Sequence, residues 1–143
     1  MGTAIPHDGD YVLISGNEMG VLLMDWLAQQ AQKNGEDVKT KVGVTTIVSS
    51  SMPDALAKDW GFEVRRVLTG FKFIGDQIDQ LKDAGEEDRY LVGFEESYGY
   101  LAGTHARDKD AIVATMLAVE MASDYAARGM DLYEAMEELY KKY

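Results

Sequence analysis

The chain contains no cysteine, only two prolines and two histidines, and no long apolar run. Without cysteine there is neither a disulfide nor a thiolate metal site, which fits a reducing compartment. No stretch approaches the roughly 20 apolar residues that a membrane-crossing helix needs. The first residues lack the charged start and apolar stretch of a secretion signal, so the expected location is the cytoplasm. His7 and His105 do not have zinc spacing. No G-x-x-x-x-G-K-[ST] phosphate loop, no G-x-G-x-x-G after the first strand and no G-x-S-x-G elbow is present. Positive charge is scarce as well: 14 Lys and Arg stand against 25 Asp and Glu, a formal net charge of −11. That balance argues against nonspecific nucleic-acid binding and against anionic membrane surfaces, both of which need cations. It leaves room for a small phosphorylated ligand in a locally cationic pocket.

What is present is enough for one domain with a real core: 143 residues, 46% of them apolar. Apolar, β-branched runs read as strands at "YVLI" (11–14), "VGVTTIVSS" (42–50), "FEVRRVL" (62–68) and "RYLVGF" (89–94). Helical spacing lies between them. Ser15 with Glu18 is a capping box before Met19, Leu22, Leu23, Trp26 and Leu27, and Gly35 is the stop. Ser51 with Asp54 repeats the pattern, with Pro53 early in a short helix that ends near Gly61. Phe71, Ile74, Ile78 and Leu81 stripe a third helix. Ile112, Val113, Met116, Leu117 and Met121 mark a long one, with Glu120, Asp124 and Arg128 as its polar stripe and Gly129 as its stop. Asp131 with Glu134 caps the last. Alternating strands and helices predict a three-layer α/β/α fold on a four-stranded, mostly parallel mixed sheet, as a single domain over residues 1–143.

In such sheets ligands bind beyond the carboxyl ends of the strands. Four segments are expected there: 15–18, 49–51, 69–72 and the long polar loop 95–109. Loops of that length are commonly functional. In an extended segment Glu95 and Ser97 point to one side, offering a carboxylate and a hydroxyl that suit vicinal sugar hydroxyls. The alternative is a strand-end carboxylate capping a backbone N–H. Glu96 points the other way and reads as structural. Tyr98 and Tyr100 either stack on a ligand or pack the loop. His105, Arg107 and Lys109 present alternate cations able to receive a phosphate or move a proton; alternatively they pair with Asp108 and Asp110, the latter a good N-cap. Thr69 and Gly70 open a helix whose N–H groups favour an anion or a hydroxyl-rich ligand, with Lys72 beside them; a snorkelling surface lysine is the plain alternative. "HDGD" (7–10) resembles a carboxylate metal loop but reads as a turn before a strand.

"TGFKFIG", "GFEESYGYLAG" and "ARDKDAI", in that order and in this α/β setting, resemble the third domain of the α-D-phosphohexomutases, nearest to the bacterial phosphoglucomutase branch, with phosphomannomutase and phosphopentomutase as relatives. The resemblance implies a four-domain enzyme that moves a phosphoryl group between C1 and C6 of a hexose through a bisphosphorylated sugar. It implies a phosphoserine in the first domain, a Mg²⁺-binding aspartate loop in the second and a phosphate loop in the fourth. The third reads the sugar with a Gly-Glu-x-Ser-Gly pattern, which falls here on "EESYG". Glu95 and Ser97 would then bind the 3- and 4-hydroxyls. Lys109 would be a general acid/base, and Lys72, His105, Arg107, Thr69 and Gly70 would line the sugar. Phe94 in place of the first glycine and Tyr98 before Gly99 depart from the pattern. No phosphoserine, aspartate-triad or phosphate loop occurs here, so the chain alone is expected to be inactive, to lack a dedicated Mg²⁺ site, to bind sugar weakly and to expose apolar surface that normally faces the other three domains. The alternatives are a stand-alone sugar-phosphate or nucleotide binding module and a purely structural or interaction domain.

Overall fold

A computed structural model describes residues Met1–Tyr143, the whole chain. The sheet runs β4-β3-β5-β6, from β3 (Val42–Thr46), β4 (Glu63–Val67), β5 (Tyr90–Glu95) and β6 (Gly99–Leu101). β3 pairs in parallel with both β4 and β5, and β6 closes the edge antiparallel to β5. β3 is buried along its whole length, as a central strand covered on both faces must be. Helix α3 (Phe71–Asp83) covers one face, with Ile74, Ile78 and Leu81 against Val42, Val44 and Tyr90. Helices α1 (Gly16–Lys33), α2 (Met52–Trp60), α4 (Ala111–Ala127) and α5 (Leu132–Lys142) build the larger core on the other. The three layers and the mostly parallel four-stranded sheet are those expected.

Two strands differ from the expectation. "YVLI" does not join the sheet: β2 (Asp10–Ile14) pairs antiparallel with β1 (Thr3–His7) in a separate hairpin. Its turn is the Asp8–Gly9 pair, both at positive φ (48° and 81°), so "HDGD" is a turn. The fourth strand of the sheet is β6, three residues folded out of what reads as continuous loop. Register explains it: once the chain reverses after Glu95, Gly99 pairs with Glu95 and Tyr100 with Phe94.

The caps at Ser15–Glu18 and Asp131–Glu134 form as capping boxes. The cap at Ser51 does not: its side chain makes no capping bond, and Asp54 instead takes the Arg66 guanidinium at 2.6 Å. In α4 the buried positions are Ala114, Ala118, Met121 and Tyr125, while Ile112 is 84% exposed and Met116 53%. The apolar spacing finds the helix but not its inward face, because the helix is apolar nearly all round.

His7 ties the hairpin to α5. Its Nδ1 lies 2.7 Å from Asp131 Oδ2 and its ring stacks against Tyr133 at 4.3 Å. The hydrogen bond to Asp131 raises the His7 pKa above the ordinary 6.5, with the charge of Asp8 adding to it. A raised folded pKa contributes stability that is present below the unfolded value and lost as pH rises through the folded one. The thermal midpoint of the wild type should therefore exceed that of His7→Gln at pH 6, and the gap should close by pH 9. A gap that is constant across this range contradicts the ionic latch.

Candidate functional site

The carboxyl ends of the strands bring the expected segments together. Alternation along β5 turns Val92 and Phe94 toward α1, and Gly93 and Glu95 toward α3. Glu95 is 6% exposed, and its Oε1 accepts the backbone N–H of Gly70 at 2.7 Å. Gly70 is the N-cap of α3 at φ 124°, a backbone that glycine adopts without strain. The helix N-terminus thus receives the domain's own carboxylate, where the dipole favours negative charge. The capping alternative for Glu95 is realised for one oxygen only. The other, Oε2, takes no hydrogen bond from the protein and faces the space above Gly99. A Cβ on Gly99 would stand 3.3 Å from Glu95 Oε2, from Lys109 Cδ and from the Phe71 ring. Missing side-chain bulk at Gly99 is what lets these three converge. Lys109 Nζ lies 5.8 Å above the Phe71 ring and 3.1 Å from Asp108.

Ser97 reaches the site differently from the expectation. Residues 96–98 form the turn between β5 and β6, so Ser97 is not on an extended strand beside Glu95. It is exposed and lines a cavity of about 330 Å³ with Tyr98, Tyr100 and Lys109. Glu96 accepts from Thr46 Oγ1 at 2.7 Å, the structural role expected of it. Tyr100 is buried and donates to the Gly16 carbonyl at 3.1 Å; it packs rather than stacks on a ligand. Tyr98 sits at φ +65°, a conformation that costs an L-residue roughly 1–2 kcal/mol.

The other cations separate. Arg107 bonds Asp79 at 2.6 Å and the Thr104 carbonyl at 2.7 Å, with its backbone seated on Gly75 of α3. His105 pairs with Asp110 at 2.8 Å, and the same Asp110 caps α4 through the N–H groups of Ile112 and Val113. That hydrogen bond, with those from the helix N–H groups, holds the Asp110 carboxyl below its ordinary range, and Lys109 does the same for Asp108. Paired acids therefore account for His105 and Arg107. Lys72 and Thr69 are exposed at the rim, and Lys72 has no ionic partner.

Arg66 is a residue that sequence reasoning passes over, yet it fixes the neighbouring rim. Its guanidinium reaches the Thr46 carbonyl at 2.8 Å, the Ser50 carbonyl at 2.7 Å and Asp54 at 2.6 Å. Asn17 Oδ1 accepts from Ser50 N at 3.1 Å and joins that loop to α1. The largest cavity, about 510 Å³, lies elsewhere, among Asp25 of α1, Trp60 of α2, Tyr125 of α4, and Glu138 and Leu139 of α5. Its buried carboxylate, Asp25, is already bonded by Trp60 Nε1 and Gln29 Nε2. The smaller cavity at the strand ends shares Lys109 with the Gly99 side of Glu95 Oε2.

Residues 15–143 match the family model described as phosphoglucomutase/phosphomannomutase, alpha/beta/alpha domain III. The chain belongs to this family. Among its relatives, a phosphoglucomutase of Staphylococcus saprophyticus is 38% identical over 134 residues, 94% of this chain and 24% of that protein. A phosphomannomutase of Mycoplasmoides pirum is 35% identical over 140 residues, 97% of this chain and 24% of that protein. A crystal structure assigned to a phosphomannomutase of Thermus thermophilus superposes with a TM-score of 0.71 at 25% identity, over 96% of this chain and 27% of that one. The open form of parafusin, a Paramecium phosphoglucomutase, shares the fold at a TM-score of 0.64. The domain III chain thus spans about a quarter of the length of these relatives.

Whether this domain could hold Mg²⁺ is decided by its own donors. The one group in this domain with metal-ligating atoms close together is His7, Asp131 and Glu134, within 4.8 Å of one another. Both carboxylates are engaged in capping α5: Asp131 Oδ1 takes the Glu134 N–H at 2.8 Å and Glu134 Oε2 takes the Asp131 N–H at 3.1 Å. Mg²⁺ asks for six octahedral oxygens. An imidazole and two carboxylates engaged in a cap do not fit it.

Proposed function

We propose that this domain binds the sugar ring in an enzyme that interconverts hexose 1-phosphate and hexose 6-phosphate. The observation that supports it is the buried Glu95 carboxylate, anchored by Gly70 through one oxygen and left without a donor at the other. That second oxygen is free to accept, and a sugar hydroxyl supplies a donor for it. Ser97 adds a hydroxyl that donates or accepts at the neighbouring position. Lys109, between Glu95 and the open cavity, carries the ammonium that gives or takes the proton of the reacting sugar oxygen. Thr69, Gly70 and Lys72 form the rim on the α3 side. The paired His105 and Arg107 act in this reading by shaping the loop.

Phosphoryl transfer needs donor, acceptor and charge-neutralising groups held in line. In this reading the phosphoryl donor, Mg²⁺ and the grip on the phosphates belong to the remaining domains of such an enzyme. The purified chain, given glucose 1-phosphate, glucose 1,6-bisphosphate and Mg²⁺, is expected to form no glucose 6-phosphate in a coupled assay. Mg²⁺-dependent turnover by the chain alone overturns that division of labour. Tight binding of a sugar phosphate by the chain without turnover favours a free-standing binding module.

A further inference from the structure

Tyr98 is held in a conformation that glycine would adopt freely, and it lies outside the buried core. Asp8 is the other non-glycine residue at positive φ, and it sits in a hairpin turn. Tyr98 follows Ser97, where the Gly-Glu-x-Ser-Gly pattern has glycine. Its neighbours hold it in place: Glu95 is fixed on Gly70, Glu96 on Thr46, and the backbone of 96–98 lies directly on Gly16. The ring is nevertheless 45% exposed, its hydroxyl has no protein partner, and it lines the same cavity as Ser97 and Lys109. Strain of this kind persists where the surroundings over-determine it, and it collects at ligand clamps.

We propose that Tyr98 is a further substrate-binding residue: a rigid aromatic platform against which the C–H face of a six-membered sugar ring stacks while Glu95 and Ser97 take its hydroxyls. This rests on the sugar-binding reading above. Tyrosine supplies a large amphipathic contact at little entropic cost, having only two side-chain torsions to fix. A platform reads the ring and not one hydroxyl, so glucose and mannose phosphates should depend on it equally.

The test uses the 143-residue chain and three variants, Tyr98→Gly, Tyr98→Phe and Glu95→Gln, titrated with glucose 1-phosphate and mannose 1-phosphate and followed by amide chemical shifts. Tyr98→Gly should raise the thermal midpoint by about 3 °C as the strain is released. It should also weaken both sugar phosphates about tenfold, a loss equal to one good aromatic contact. Tyr98→Phe should bind nearly as the wild type does. A Tyr98→Gly chain that binds as tightly as the wild type, while Glu95→Gln does not, overturns the platform and spares the site. Glu95→Gln binding unchanged, or no shift at residues 95–99 in the wild type, overturns both.

Discussion

Glu95→Gln, placed in a complete phosphohexomutase carrying this domain, should lower kcat/KM for the hexose phosphate by about 100-fold, at little cost in stability. The amide keeps an oxygen for the Gly70 N–H at 2.7 Å, so the α3 cap survives. It replaces the unbonded carboxylate oxygen with a donor facing Lys109 and the space over Gly99. A hydrogen bond to a charged group is worth about 1.5–3 kcal/mol, which at 1.4 kcal/mol per decade spans roughly 10- to 100-fold. The donor-for-acceptor swap puts the expectation at the upper end. Ser97→Ala, which removes a neutral partner, should lose about tenfold. Steady-state kinetics with a thermal melt as control checks both. Unchanged kinetics in the two variants would return the domain to a structural or interaction role.

Gly16→Ala should damage the same site from the other side. A Cβ there would stand 2.1 Å from the Glu96 carbonyl oxygen, 2.9 Å from its carbon and 3.1 Å from Tyr98 N. These are backbone atoms and have no rotamer by which to retreat. Gly16 also receives the Tyr100 hydroxyl on its carbonyl, so α1 and the turn are held together at two points. Overpacking of this kind costs about 3 kcal/mol, or roughly 9 °C in midpoint for a domain of this size. The turn carrying Ser97 must shift as well, and a displacement of about 1 Å at a reacting centre costs on the order of 100-fold in rate. Gly20→Ala is the matched control. Its Cβ would meet the buried Phe94 ring at 2.3 Å, which strains the core and not the turn. It should lower the midpoint similarly while its folded fraction retains activity. Equal activity in the folded fractions of the two variants contradicts the role assigned to the turn.

The residues that announce elements locally are legible in the sequence. The capping residues at Ser15 and Asp131 and the β-branched run of β3 predict a helix, a helix and a central strand where each is found. The first strand of the hairpin escapes the reading although Asp8-Gly9 is a strong hairpin signal. β1 carries Pro6 and buries only Ile5, so it has neither alternation nor a full set of donors, and such a strand is tolerated only in an unshared edge position. β6 escapes it because three residues are too few to show a period. At the site, the strand-end position of Glu95 is readable from the sequence. Its bond to Gly70, the room at Gly99 and the seat on Gly16 depend on segments that meet only in the fold. The same holds for Arg107, whose partner Asp79 lies 28 residues earlier on another element.

The most direct measurement is an amide chemical-shift titration of the wild-type chain with glucose 1-phosphate. The account predicts shifts confined to Gly70, to residues 95–99 and to Lys109, around the unbonded Glu95 oxygen. Shifts centred on Asp25, Trp60 and Tyr125, at the larger cavity among the helices, would contradict it.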